Sequence, residues 1–275
     1  MNKLNVKDQV RIVASLVEGN SIRATCRMTG ASKNTVVKLL VNLGRACSEY
    51  QDKTFKNLNC KHIQCDEIWS FVGMKDKNIP KEKKGIFDYG DVWTWTALCA
   101  DTKLIPCWYV GDRSAEAGYH FMNDLAGRLA NKVQLTTDGH KAYLEAVEGA
   151  FGNDVDYAQL QKIYGTVKKE GETRYSPAQC MGARKAVITG NPAHEHTSTS
   201  YIERSNLTMR MHMRRFTRLT NAFSKKLENH EAAIAIHFMY YNFARIHQTL
   251  RVTPAMEAGI SEHVWGLDEI VKLLD

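Results

Sequence analysis

Residues 200–220, with the sequence SYIERSNLTMRMHMRRFTRLT, predict an amphipathic helix. At about 100° per residue, one narrow and mainly apolar stripe is made of Ile202, Met209, Met213, Phe216 and Thr220. A second face carries Glu203, Arg210 and Arg214, within about 40° of one another by the same rotation. The lone carboxylate has two explanations. Either Ser200 and Glu203 form a capping box at the helix start, or Glu203 binds a metal ion while the arginines bind phosphates.

The distribution of charge favours a polyanionic partner. The 275-residue chain has a net charge of +7 and a pI near 9.0. Residues 203–226 contain seven lysines and arginines against the single acid Glu203, and residues 1–50 contain eight against three acids. Clusters of this kind are typical of proteins that bind nucleic acid. Two clusters predict two places where a nucleic-acid backbone is gripped.

Other features of the composition indicate a reducing compartment and no membrane partner. The hydrophobic content of 44% is enough for a packed core. No apolar run approaches the ~20 residues of a membrane span, and the first residues do not form a signal peptide. The seven cysteines are scattered and never spaced Cys-x-x-Cys, which argues against a disulfide framework. We therefore expect a cytoplasmic protein.

The first fifty residues predict three helices, over residues 6–18, 22–28 and 33–43. A glycine-containing turn separates the last two, as in a helix-turn-helix, whose second helix enters the major groove with its amino end first. The residues at that end, predicted to contact phosphates and base edges, are Lys33, Asn34, Thr35 and Lys38. We predict a DNA-binding domain over residues 1–50 and a linker over residues 51–60. The alternative is a helical cap on the next domain.

The next segment predicts a strand that carries a carboxylate. Residues 63–72 are rich in aromatic and branched side chains, and their period of two puts Asp66 on one face with Ile68 and Val72. Glu67 points to the other face. A carboxylate in such a row is costly to bury unless a metal ion or hydrogen bonds hold it. Asp66 is therefore the better candidate ligand, although a carboxylate at a solvent-exposed strand end is the ordinary alternative.

The order of the following elements indicates the fold class. Residues 92–100 and 104–110 predict a hairpin. A helix, a strand over residues 133–137, a second helix and a strand over residues 155–163 come next, ahead of the helix that carries Glu203. Three antiparallel strands followed by helix, strand, helix, strand and helix is the order of the ribonuclease H-like fold.

We therefore predict an α/β protein, with a ribonuclease H-like catalytic core that follows the helix-turn-helix domain. The core spans residues 61–250 and consists of a mixed five-stranded sheet with flanking helices. An irregular insertion is expected over residues 165–199, and a helical extension over residues 251–275. Asp138 directly follows the fourth strand, at the edge of the sheet where ligands gather in open α/β folds. Asp-Gly is also a common turn dipeptide, so the position of Asp138 in this order carries the prediction.

Asp66, Asp138 and Glu203 together form an acidic triad. Two Mg²⁺ ions (or Mn²⁺) about 3.5–4 Å apart, held by carboxylate oxygens, can activate a nucleophile and stabilise the leaving oxyanion of a phosphodiester. We predict the three acids as catalytic residues and metal ligands. The arginines predicted to bind the DNA strand being cut are Arg204, Arg210, Arg214, Arg215 and Arg218.

At these residues the sequence resembles the DDE transposases of the insertion sequence one family. The resemblance runs over nearly the whole chain. Its motifs are CDEIWSF at 65–71, TDGHKAY at 137–143, YIERSNL at 201–207, MHMRRFTRLTNAFSK at 211–225, YYNFARIHQTL at 240–250 and TPAM at 253–256. Many members carry a cysteine zinc-binding segment ahead of the helix-turn-helix, and none precedes the first predicted helix here.

The resemblance implies a transposase that acts on double-stranded DNA, at the ends of the element and at the target. It implies Asp66, Asp138 and Glu203 as the metal-binding triad and Arg210 as the basic residue that follows the glutamate. Water would free a 3′-OH at the element end, and this hydroxyl would attack target DNA without a covalent enzyme–DNA intermediate. It also implies a homo-oligomer, since two ends must meet, and a prokaryotic, nucleoid-associated protein.

Two other functions stay open from the sequence. A hydrolytic nuclease on the same fold would cut DNA and never join it. A non-catalytic DNA-binding protein derived from a transposase would bind without cutting, although the presence of all three acids argues against such decay.

Overall fold

A computed structural model of the chain describes residues 4–83, 89–165, 179–217 and 221–275. The described residues form a mixed α/β structure around one six-stranded sheet, in the order β3-β2-β1-β4-β5-β6. The strands are β1 (His62–Val72), β2 (Gly90–Cys99), β3 (Trp108–Gly111), β4 (Val133–Asp138), β5 (Val155–Gly165) and β6 (Gln179–Thr189). The helices are α1 (Val6–Val17), α2 (Ile22–Thr29), α3 (Lys33–Thr54), α4 (Ala115–Arg128), α5 (Ala142–Phe151), α6 (Ser200–His212), α7 (Leu227–Met239), α8 (Pro254–Glu257) and α9 (Leu267–Lys272).

The sheet pairs its strands in both directions. Strand β1 is antiparallel to β2 and parallel to β4, β2 is antiparallel to β3, and β4 is parallel to β5. The sixth strand, β6, is antiparallel to β5 and lies in the segment predicted to be an irregular insertion. The prediction of five strands was therefore wrong. The missed strand is held mainly by backbone hydrogen bonds to β5, and it carries the exposed apolar residues Met181, Val187 and Ile188.

Helices cover both faces of the sheet. On one face, Trp95 of β2 contacts Phe121 of α4 and Tyr143 of α5. On the other face, Ile68 of β1 belongs to a buried cluster with residues of α6 and α7, among them Ile202. The two faces of the sheet therefore pack against different helix pairs, α4 and α5 on one face and α6 and α7 on the other.

The amino-terminal helices begin where the sequence predicts. Ser21 and Ser32 accept hydrogen bonds from the backbone of the first turns of α2 and α3, and Gly30 ends α2 with a φ of 75°. Helix α3 continues to Thr54, however, so the first four of the ten residues of the predicted linker are helical. Gln51 explains the extension, since its buried amide bonds the carbonyls of Cys47 and Ala235 and ties the end of α3 to α7.

Residues 200–220 form a shorter helix than predicted. Helix α6 ends at His212, Met213 is extended with φ −126° and ψ 106°, and a 3-10 turn follows over Arg214–Phe216. The apolar stripe still packs as one unit, because Ile202, Met209, Met213 and Phe216 all lie in the same buried cluster. Thr220 lies outside the described residues. Arg214 therefore does not share a helix face with Glu203.

Helix α7 holds the amino-terminal helices against the sheet through close packing on α3. A Cβ atom added at Gly44 of α3 would lie 2.4 Å from the Cα of Ala232. Helix α7 then passes into a π-helical turn over Tyr240–Ala244, where Asn242 bonds the backbone of Ile105. In the described parts of the chain, no helix combines the length and apolarity needed to cross a membrane.

We expect Gly44→Ala to lower the free energy of unfolding by about 2–3 kcal/mol, because the new methyl group forces α3 away from α7. Gly127→Ala, in α4, is the matched control, since a Cβ there meets nothing within 4 Å. The control should leave stability unchanged or raise it by up to about 1 kcal/mol, the difference in helix propensity. Urea unfolding of the two variants measures both effects, and equal stability would contradict the close packing.

Candidate functional site

Three carboxylates meet at the end of β4. Cys65 of β1 pairs in parallel with Thr137 of β4, so the next residues along the two strands, Asp66 and Asp138, lie side by side. One side-chain oxygen from each of Asp66, Glu67 and Asp138 lies within 4.8 Å of the others. Within the described ranges, this is the one group of three metal-ligating side chains at such distances, and Glu203 is not in it.

Asp66 is half-buried and held by two hydrogen bonds. Its Oδ1 accepts from the backbone N–H of Glu67 at 2.9 Å, and its Oδ2 accepts from the side-chain amide of Asn206, on α6, at 2.8 Å. Burial raises the pKa of Asp66 to about 6, and the charges of Asp138 and Glu203 add to the increase. The carboxylate is therefore oriented toward α6 while its negative charge is incompletely balanced.

Glu67 points to the opposite face, as predicted, yet it belongs to the same group. Its side chain is 1% exposed, and its Oε2 accepts from Arg113 at 3.2 Å. Its Oε1 is buried, and the hydroxyl of Tyr143 on α5 lies near this carboxylate. Burial raises the pKa of Glu67 to about 7, with further contributions from the charges of Asp138 and Asp66.

Asp138 is held from the backbone and by a cation. Its Oδ1 accepts from the N–H of His140 at 2.9 Å, and its Oδ2 lies 3.8 Å from the guanidinium of Arg113. Arg113 follows β3 and also lies over the ring of Trp93, at 4.6 Å from the ring centroid. One arginine therefore bridges two of the three carboxylates.

Glu203 approaches the group from α6. Its Oε2 lies 2.5 Å from the ammonium of Lys162, on β5, and its Oε1 accepts from the hydroxyl of Thr199 at 2.5 Å. The predicted capping box is wrong, because Thr199 is the N-cap residue of α6 and Ser200 is already its first helical residue. The side chain of Glu203 contacts the Thr199 hydroxyl instead of capping a backbone N–H.

The donor set of this site fits a hard divalent cation. Carboxylate oxygens are the ligands that Mg²⁺ and Mn²⁺ prefer, and several carboxylates in close contact need a cation to balance their charge. Asp66 and Asp138 each keep a fixed orientation through hydrogen bonds that leave part of their acceptor capacity free. The buried Oε1 of Glu67 is a further acceptor beside the site.

The predicted DNA-binding residues of α3 lie at the helix start, with Lys33, Asn34 and Lys38 exposed and Thr35 half-buried beside Ser32. A groove of about 1050 Å³ separates this end of α3 from the segment after α6. Its basic lining residues are Arg23, Lys33, Lys38, Arg214, Arg215, Lys225 and Lys226, and its one acid is Glu228.

The arginines predicted to bind the cut strand occupy different surroundings. Arg204 is exposed on α6, Arg210 is half-buried on the same helix, and Arg214 is exposed after it. Arg215 lines the groove, but its guanidinium donates to the hydroxyl of Ser224 and to the carbonyl of Asn229. Burial lowers the pKa of Arg215 to about 10. Arg218 lies outside the described residues.

Comparisons with known proteins give two matches, both to transposases. The profile of a family described as IS1 transposase matches residues 186–244, which include α6 and α7. Over these residues, about a fifth of the chain, the resemblance to the IS1 family is confirmed. Among solved structures, a cryo-EM structure of a piggyBac transposase synaptic complex with hairpin DNA aligns with a TM-score of 0.46 and 10% identity, over 99% of this chain and 71% of that one. A comparison with curated protein sequences gives no match.

Sequence reasoning missed three side chains at the site. Arg113 lies in the link between β3 and α4, where no periodicity gives a side-chain direction. Asn206 is one turn after Glu203 on the predicted helix and could have been found as its neighbour. Predicting Lys162 at the site would have required knowing how far β5 extends past the end of β4. The signal for Glu67 was present in its position beside Asp66, but the strand period assigned it to the other face.

Glu67→Gln tests the electrostatics of the metal-free site. The pKa of Glu67 is raised from 4.5 to about 7 on folding, so the protein loses stability as the pH rises through this range. At pH 8 the substitution should stabilise the metal-free protein, by at most on the order of 3 kcal/mol. At pH 4 the glutamate is protonated and the difference should vanish. Thermal unfolding with a chelator measures both, and a difference independent of pH would contradict the assignment.

Proposed function

We propose that the chain is a DDE transposase that cleaves DNA at the ends of an insertion sequence and transfers the freed 3′-OH into target DNA. The observation that carries the proposal is the meeting of Asp66 of β1 with Asp138 at the end of β4, beside α6, which lies in the segment that matches the IS1 transposase profile. In this proposal Asp66, Asp138 and Glu203 hold two divalent metal ions. The order of the strands along the sheet supports a ribonuclease H-like core.

Each proposed ligand is positioned by the chain itself. Asn206 orients Asp66, the N–H of His140 orients Asp138, and Thr199 orients Glu203. When bound, the metal ions would activate the attacking hydroxyl and stabilise the leaving oxyanion of the phosphodiester. Arg113 keeps Asp138 in place and offsets part of the negative charge that the DNA phosphate meets on approach.

Double-stranded DNA is the proposed partner, gripped by the first fifty residues and by the basic segment after α6. The groove between them supports this assignment, because its lining contains seven basic side chains and one acidic side chain. Basic residues from both clusters of the sequence thus line one groove. We further propose a helix-turn-helix made of α2 and α3, and a homo-oligomer in the DNA complex, because two element ends must be held together for transfer.

Removal of any one triad carboxylate should abolish strand cleavage and spare DNA binding. We expect Asp66→Asn, Asp138→Asn and Glu203→Gln each to lower the rate by more than about 100-fold, since even outer-shell partners of metal ligands change activity by about 10- to 100-fold. Asp156→Asn is the control, because Asp156 pairs with Lys132 elsewhere on the sheet. Cleavage and gel-shift assays with Mg²⁺ and element-end DNA measure both properties.

Full cleavage by any triad variant would contradict the proposed catalytic role of that residue. Joining of precut ends to target DNA separates a transposase from a hydrolytic nuclease, which cuts without joining. DNA binding by the wild-type protein without Mg²⁺-dependent cutting would favour the non-catalytic alternative.

DNA binding in the groove should weaken as the salt concentration rises, and basic residues on both walls should contribute to this dependence. A plot of log K against log salt concentration has a negative slope. We expect Lys33→Ala and Arg214→Ala each to make this slope less steep by about 1. Lys53→Ala is the control, because this exposed lysine lies at the other end of α3, outside the groove lining. Fluorescence anisotropy with a mixed-sequence duplex measures the slopes, and an equal slope for the control and the groove variants would exclude the groove as the DNA path.

A further inference from the structure

Lys162 reaches the carboxylate site from a strand that the proposed mechanism does not use. Strand β5 pairs with β4 as far as Leu160, which lies opposite Asp138. Lys162 lies two residues further along β5, on the same face as Leu160, where β4 has ended. No β4 neighbour covers it on that side, and its side chain extends toward α6.

The ammonium of Lys162 lies directly against one proposed metal ligand, Glu203. It lies 2.5 Å from Oε2 of Glu203, and the negative charges of Glu203 and Asp66 both raise the Lys162 pKa. The other oxygen of Glu203 already accepts from the hydroxyl of Thr199. Both Glu203 oxygens are therefore engaged in the metal-free protein, one by Lys162 and the other by Thr199.

The two cations at the site differ in how easily they can leave. Arg113 contacts Glu67, whose side chain is 1% exposed, and stacks on Trp93. Breaking the Arg113–Glu67 pair would leave the buried carboxylate of Glu67 without its counter-ion. The Lys162–Glu203 pair is open to solvent, with side chains 32% and 39% exposed. Water can take over the hydration of both partners, so this pair opens at small cost.

We propose that Lys162 is a resident counter-ion of Glu203, which a divalent metal ion must displace before Glu203 can join Asp66 and Asp138. This inference rests on the metal-dependent function proposed above. The position of Lys162 then sets how much metal the free protein needs. It also explains why Glu203 stands apart from the other carboxylates in the metal-free protein, because its oxygens are paired within the chain.

Lys162→Met tests the displacement through metal affinity, without reference to catalysis. Methionine keeps an unbranched apolar side chain and removes the charge. We expect Mn²⁺ to bind the DNA-free variant about two- to fivefold more tightly than the wild type, the range set by an exposed ion pair. Water-proton relaxation during Mn²⁺ titration measures this affinity.

The control is Lys132→Met, which breaks the 2.9 Å pair with Asp156 at the other end of β5. It should bind Mn²⁺ as the wild type does, and Glu203→Gln should bind more weakly. If Lys162→Met binds Mn²⁺ with the affinity of the wild type, the displacement is wrong, but the proposed metal centre is not contradicted. Absence of Mn²⁺ binding in all proteins, with the fold intact by circular dichroism, would overturn it together with the proposed metal centre.

Discussion

The parallel pairing of β1 with β4 is the constraint on which the rest of the site depends. Because Cys65 lies opposite Thr137, Asp66 and Asp138 emerge together where β4 ends. A slip of one residue would turn Asp66 away from α6 and present Glu67 to Asn206 in its place. This register brings like charges together at buried positions, where burial raises the pKa values of Asp66 and Glu67 and the neighbouring carboxylates add to the increase. The fold tolerates that cost only with cations and hydrogen-bond donors around it.

These compensating groups come from both layers of helices and from the sheet itself. Arg113, between β3 and α4, is a permanent partner, because it is stacked on Trp93 and paired with a buried carboxylate. Lys162 is exposed and exchangeable in the proposed account. Asn206 contributes a neutral donor from α6. The carboxylates are thus oriented before any metal ion binds, which lowers the reorganisation that binding requires.

The sequence patterns predicted the elements that build the sheet and not the contacts between them. Period-two alternation gave the correct face for Asp66, and the serine caps located α2 and α3, because both signals are local. The break of α6 at Met213 was missed, since the apolar stripe through Phe216 continues whether or not the helix does. Strand β6 and the partners of Glu203 depend on chain pairings far apart in sequence, which periodicity does not encode.

The most direct measurement for the central claim is a crystal structure of the protein grown with Mn²⁺, with anomalous diffraction recorded at the manganese edge. The account predicts an anomalous peak between the carboxylates of Asp66 and Asp138, with Glu203 released from Lys162 and turned toward the ion. A peak remote from Asp66, or an ion held by other residues while Glu203 stays paired with Lys162, would contradict it.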